Sequence, residues 1–194
     1  MDIFSLDKNK FIFFPGLLIT MLGNVIFSFA TGLFLLEVTG KSSIFATNLI
    51  LASLPLAIAS PFLGIVVDFI SKKLLIIVAD LLNALLMLFI FILWDKIDHI
   101  YLIYFGTVLS SFLTFFVFLA YDAGKPQLFP KEWLIKANTI STIVSSLCRI
   151  LGPLIGGIVY SFTDIKYFIL INSISFFISM ILECFLCFSK KEKR

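Results

Sequence analysis

Residues 74–94 read LLIIVADLLNALLMLFIFILW. Asp80 is the one charged side chain in these 21 residues. A helix rises 1.5 Å per residue and a hydrocarbon core is about 30 Å thick, so the run is long enough to cross a bilayer. Backbone polar groups find no water in lipid, so a helix is the structure expected for it. Five further runs of the same kind surround it: Phe11–Leu36, Ser43–Val67, Ile100–Tyr121, Asn138–Phe162 and Tyr167–Phe188. The chain is therefore read as an all-α membrane protein of six transmembrane helices. Its expected organisation is a short N-terminus (1–10), a six-helix bundle (11–188) and a basic tail (189–194).

Composition agrees. Of 194 residues 60% are hydrophobic, 24 are Phe and the mean hydropathy is +1.11, far from the even mixture of a soluble domain. The first apolar run is too long for a signal peptide and lacks a small-residue cleavage site, so it is expected to stay as a span. The net charge of +3 does not point to nucleic acid, because the basic residues alternate with spans instead of forming one patch.

Short polar connections separate the runs, the longest being Asp122–Ala137, where Trp133 suits an interfacial stretch. Eleven of the fifteen Lys and Arg residues fall on the side of the two termini, and Lys41, Lys96 and Lys166 on the other. Arg149 lies within a span. The positive-inside rule then places both termini in the cytoplasm of a multi-pass plasma-membrane protein.

Polar residues inside spans are costly, so they mark faces that meet protein or water. In the first helix Thr20, Asn24, Ser28 and Thr31 recur at spacings of 4, 4 and 3. The fourth helix repeats the arrangement with Tyr104, Thr107, Ser111 and Thr114, supported by Ser110. Two walls of a hydrated substrate pathway are one reading, and ordinary helix packing through small polar residues is the other. Arg149 lies near the middle of the fifth span, on a face shared with Thr142, Ser145, Ser146, Gly152, Pro153 and Gly156. Either a structural ion pair or a role in substrate or ion chemistry suits it.

Asp80 and Glu183 each lie seven residues from a basic cluster, about 10 Å into the membrane. They are candidate proton-titrating groups, although pairing with lysines that snorkel to the interface is the expected role. Catalytic and metal chemistry find little support. His99 is the single histidine, and Cys148, Cys184 and Cys187 all fall in apolar runs and behave as small apolar residues. No GxSG, HExxH or P-loop pattern occurs, so neither an enzyme nor a cofactor is expected.

Two motifs carry a family resemblance. Residues 64–73 read GIVVDFISKK, similar to the cytoplasmic GxxxDRxGRR motif of the major facilitator superfamily. Gly64, Asp68, Lys72 and Lys73 keep the pattern, while Phe69 and Ser71 depart from it. Residues 148–157 read CRILGPLIGG, resembling the GxxxGPxxGG motif of that superfamily's antiporters, with Cys148 at the first Gly. Gly152, Pro153, Gly156 and Gly157 form a small-residue face suited to a close, tilting interface. The wider sequence, including residues 35–42 and the segment from Pro126 to Asn138, looks like bacterial macrolide-type drug exporters.

The resemblance implies that helices one and four line a central cavity and helices two and five meet a second half. Asp68, Lys72 and Lys73 would take part in a cytoplasmic gate. The superfamily pattern has twelve helices and this chain six, so the expectation is the N-terminal half of a transporter. It would export a small molecule, coupled to protons, with a second six-helix half or a second copy as partner. A non-transporting remnant, a membrane assembly subunit and the membrane domain of an ATP-driven transporter are the competing expectations.

Overall fold

In the computed structural model the backbone is described for residues 3–188, and side chains for residues 6–54, 57, 58 and 70–188. Six helices follow one another: α1 Ile3–Thr39, α2 Ser42–Phe69, α3 Lys72–Leu93, α4 His99–Leu128, α5 Lys131–Tyr160 and α6 Ile165–Cys184. Among the described residues there is no strand. Five helices are long and apolar enough to cross a membrane over their described residues, namely α1 and α3 to α6.

Short side chains set most of the boundaries. Ser71, Asp98 and Asp164 accept hydrogen bonds from the backbone N–H groups of Leu74, Ile100 and Lys166, capping α3, α4 and α6. Helix α1 ends at Gly40, whose φ of +63° belongs to the left-handed region that a side chain disfavours. Its N–H returns to the carbonyl of Leu36 at 2.9 Å.

The long connection expected over Asp122–Ala137 is instead almost all helix, and the turn shrinks to Phe129 and Pro130. Pro130 drives the preceding Phe129 into extended backbone (φ −129°, ψ 142°), which ends α4. The polar residues before it stay helical because Lys125 pairs with Asp122 at 2.7 Å and is itself buried. Trp133 then lies in the first turn of α5, with Lys10 Nζ 3.9 Å from its ring centre, tying α1 to α5.

Helix α1 packs against α5, α6 and α2, while α4 packs against α2 and α3, and α3 against α6. Exchanging α1 with α4, α2 with α5 and α3 with α6 maps α1–α5 onto α2–α4, α1–α6 onto α3–α4 and α3–α6 onto itself, whereas α1–α2 maps onto the slighter α4–α5 packing. The major packing thus follows the pattern of two three-helix repeats, which hydropathy alone did not reveal.

The interior is layered. One apolar cluster, nearer the chain termini, gathers Phe13, Leu17, Ile76, Ala79, Val117, Tyr121 and Leu186. Another, toward the opposite end, gathers Phe27, Leu35, Met87, Ile90, Leu102 and Phe168. Between them lies a polar layer of buried Thr20, Asp80, Asn83, Thr114 and Ser179.

Candidate functional site

The described exposed faces differ in chemistry. On α3 the exposed residues inside the span are Leu74, Val78, Leu82, Leu85, Leu88, Phe89 and Ile92. On α6 they include Ile171, Ile174, Phe177, Ile178 and Ile181. Both faces suit lipid. Helix α5 instead exposes Asn138, Thr142, Ser146 and Arg149 beside its apolar residues. Such a face is costly against hydrocarbon and calls for water or protein.

Helices α1, α2 and α4 enclose a cavity of about 240 Å³. Asn24, Ser28 and Thr31 come from α1, and Thr107, Ser110, Ser111 and Thr114 from α4. The antiparallel course of the two helices sets Asn24 level with Thr114 and Thr31 level with Thr107. Phe27, Phe115 and Phe118 supply apolar surface. Neutral hydroxyls and an amide among aromatic rings make a lining suited to a largely apolar solute.

Several of these polar groups are already occupied. Thr31 Oγ1 donates to the carbonyl of Phe27 on its own helix (2.9 Å), and Asn24 Nδ2 to that of Thr20 (2.9 Å). Thr107 donates to Asn48 Oδ1 of α2 (2.9 Å). Among the described residues, the Ser28 and Ser111 hydroxyls have no protein partner and remain available to water or a ligand.

A second cavity, about 360 Å³, lies between α1, α4 and α5 on the side of the termini. Phe13, Met21, Tyr121, Asp122, Ser145 and Arg149 are in its wall. Phe115 and Phe118 line both cavities, so the two adjoin at these rings. Arg149 is exposed on this side and has no ion pair among the described residues.

The remaining residues singled out in the sequence lie elsewhere. Tyr104 turns from the cavity and donates to the Ile44 carbonyl (2.9 Å), bracing α4 against α2. Thr20 is fully buried and faces α3 and α6. Gly152 and Gly156 are buried within this bundle, against Val25 and Ile26 of α1, and Gly157 lies near Phe29. Pro153 is half-buried. The small-residue face thus serves α1–α5 packing. Lys73 Nζ donates to the carbonyls of Cys184 (2.7 Å) and Leu186 (2.9 Å), closing the end of α6, and Lys72 is buried. Gly64 and Asp68 fall among the residues whose side chains lie outside the described set.

Asp80 and Glu183 meet in the interior, and neither pairs with a lysine among the described residues. Their carboxyls are linked through the Thr20 and Ser179 hydroxyls. Thr20 Oγ1 is 3.4 Å from Asp80 Oδ2 and 2.7 Å from Ser179 Oγ, and Tyr121 Oη donates to Glu183 Oε1 at 2.5 Å. Ser179 Oγ also reaches Glu183 Oε1 at 3.2 Å. Tyr121 and Ser179 were missed by sequence reasoning. Ser179 stands four residues before Glu183, on the same helical face, and that spacing was the available signal.

The family model of the Major Facilitator Superfamily matches residues 13–194. The chain belongs to this superfamily. No curated protein and no solved structure matches it. Major facilitators are membrane transporters.

Proposed function

We propose that the protein is a proton-coupled exporter of small, largely apolar or cationic compounds, related in mode of action to macrolide-type drug permeases. The single observation that supports this best is the paired polar wall. Asn24, Ser28 and Thr31 on α1 face Thr107, Ser111 and Thr114 on α4 around one cavity, bordered by aromatic rings. A solute too apolar to need ionic contacts finds shape and a few hydrogen-bonding groups there.

The polar stripe of α5 supports a second proposal, that these six helices work against another bundle. Arg149 and its neighbours face outward, and a second six-helix half or a second copy would cover them and complete the pathway. Alternating access then follows from one bundle rocking against the other. The charge distribution supports an orientation with both termini in the cytoplasm of the cell membrane. In that orientation the Arg149 cavity opens inward and the Ser28–Ser111 cavity lies further out.

The test is drug susceptibility of cells expressing the chain with and without a candidate second bundle. We expect resistance, abolished by a protonophore, only when both bundles are present. A complete pair that confers no resistance and moves no drug in vesicles would instead support a non-transporting assembly role.

A further inference from the structure

We propose that Asp80 and Glu183 form a single site holding one exchangeable proton between their carboxyl groups, with Tyr121 as its route to the cavity beside Arg149. The argument rests on burial and a count of donors. Asp80 is 0% and Glu183 1% exposed, one from α3 and the other from α6. Three hydroxyls surround them, from Thr20, Ser179 and Tyr121. The pair has four carboxyl oxygens, and two of them, Asp80 Oδ1 and Glu183 Oε2, have no partner among the described residues. Two full negative charges with orphaned oxygens are untenable in a low-dielectric interior without a cation.

The neighbouring cations are engaged elsewhere. Lys73 is held by the carbonyls of Cys184 and Leu186, and Lys125 by Asp122. Lys72 adds a hydrogen bond to the Ile70 carbonyl, at the N-terminal end of α3. Arg149 of α5 stands across the second cavity, and among the described residues α1 brings the neutral Thr20 and the Gly16 carbonyl to the cluster. One added proton removes one of the two charges and supplies the missing donor between the two carboxyls. Like charges buried in one hydroxyl-bridged cluster cannot both ionise freely, so the pair titrates as a unit.

Tyr121 belongs both to this cluster and to the cavity wall. As its hydroxyl proton passes to Glu183 Oε1, its oxygen takes a proton from a hydronium in the cavity, leaving water. The phenol ends neutral, and one proton has moved inward. Release runs the same steps in reverse. That this proton is the coupling ion rests on the transporter reading, whereas its presence between the carboxyls does not.

Infrared spectroscopy of the full chain in lipid nanodiscs tests this without any transport assay. We expect a protonated-carboxyl band at neutral pH that shifts in heavy water. Isotopic labelling of Asp and Glu carboxyls should assign it without any substitution. The band should vanish in the near-isosteric Asp80→Asn/Glu183→Gln variant. Tyr121→Phe should slow its hydrogen–deuterium exchange by about tenfold or more. A wild-type chain without the band, or a band that survives the double substitution, overturns the shared site. A band lost at constant pH when sodium replaces choline assigns the site to a metal cation and overturns it equally. Unchanged exchange in Tyr121→Phe overturns the route.

Discussion

Gly152 of α5 and Val25 of α1 are so close that a Cβ on the glycine would stand 2.4 Å from Val25 Cγ1. Of the motif's glycines, Gly152 makes the closest approach to α1, the same distance being 3.4 Å at Gly156 and 3.5 Å at Gly157. Gly152→Ala should therefore lower the stability of the chain in detergent by about 1–3 kcal/mol, the usual cost of overpacking. Adding Val25→Ala should restore part of the loss, because the nearer methyl is then gone while Val25 Cβ, 2.8 Å from the added Cβ, remains. Thermal unfolding of the two single variants and the double variant gives the coupling directly. Strict additivity of the three values would show that Gly152 serves another contact.

Lys73 closes the bundle at the other end of α3. Its ammonium satisfies one carbonyl at the last residue of α6 and one just beyond it, where the helix dipole also favours positive charge. Asn9 reinforces the same place, donating to the carbonyls of Leu128 (3.1 Å) and Cys187 (2.9 Å) and accepting from the Cys187 N–H (2.9 Å). Lys73→Met should cost about 1 kcal/mol and raise amide exchange over residues 183–187. Lys73→Arg should retain most of the protection. Exchange confined to α3, with α6 unaffected, would refute the capping role.

How far the sequence could be read depended on whether a feature was local. The run 74–94 announces its helix because nineteen apolar residues out of 21 leave a bilayer-bound chain no alternative. The limits of α4 and α5 were hidden because hydropathy treats Asp122, Lys125 and Lys131 as loop, whereas a helix continues freely into the polar interface. Pro130 alone breaks it. The α1 stripe was legible from Asn24 to Thr31, but successive i+4 steps drift by roughly 40° around the helix. Thr20 therefore stands well round from Ser28 and turns toward α3 and α6. Asp80 and Glu183 could be placed in depth from their distance to the basic clusters, which suggested lysine partners. That they face each other depends on the rotation of α3 against α6, and no local pattern encodes it.

Arg149 provides a sharper functional test than any residue of the stripes, because its charge lies on an outward face with no ion pair among the described residues. A substrate group, water or a carboxylate of the second bundle must satisfy it. In the transport-competent assembly, Arg149→Ala should reduce drug efflux by about tenfold or more, the weight of one charge-assisted hydrogen bond. Arg149→Lys should retain part of the activity, keeping the charge but losing the planar fork. Efflux rates in vesicles, normalised to the amount of inserted protein, decide the matter. Full activity of Arg149→Ala would leave the residue a packing role only.

The polar walls also make a claim about water that can be checked residue by residue. Single cysteines at Ser28, Ser111 and Thr142, in a background where Cys148, Cys184 and Cys187 are serine, should react with a membrane-impermeant thiol reagent. Cysteines at Leu85 of α3 and Ile174 of α6 should not, since both lie on faces that are apolar throughout. Drug should protect Ser28→Cys and Ser111→Cys, whose hydroxyls face the same cavity, more than Thr142→Cys in the adjoining region. The aromatic pair Phe115 and Phe118 supplies the control. Replacing Phe118 with Ala should raise labelling at Ser28→Cys from the side of the termini, because the two cavities adjoin at these rings. Equal reactivity at the α1, α3 and α6 positions would mean that the stripes are packing surfaces, and the pathway would have to be sought elsewhere.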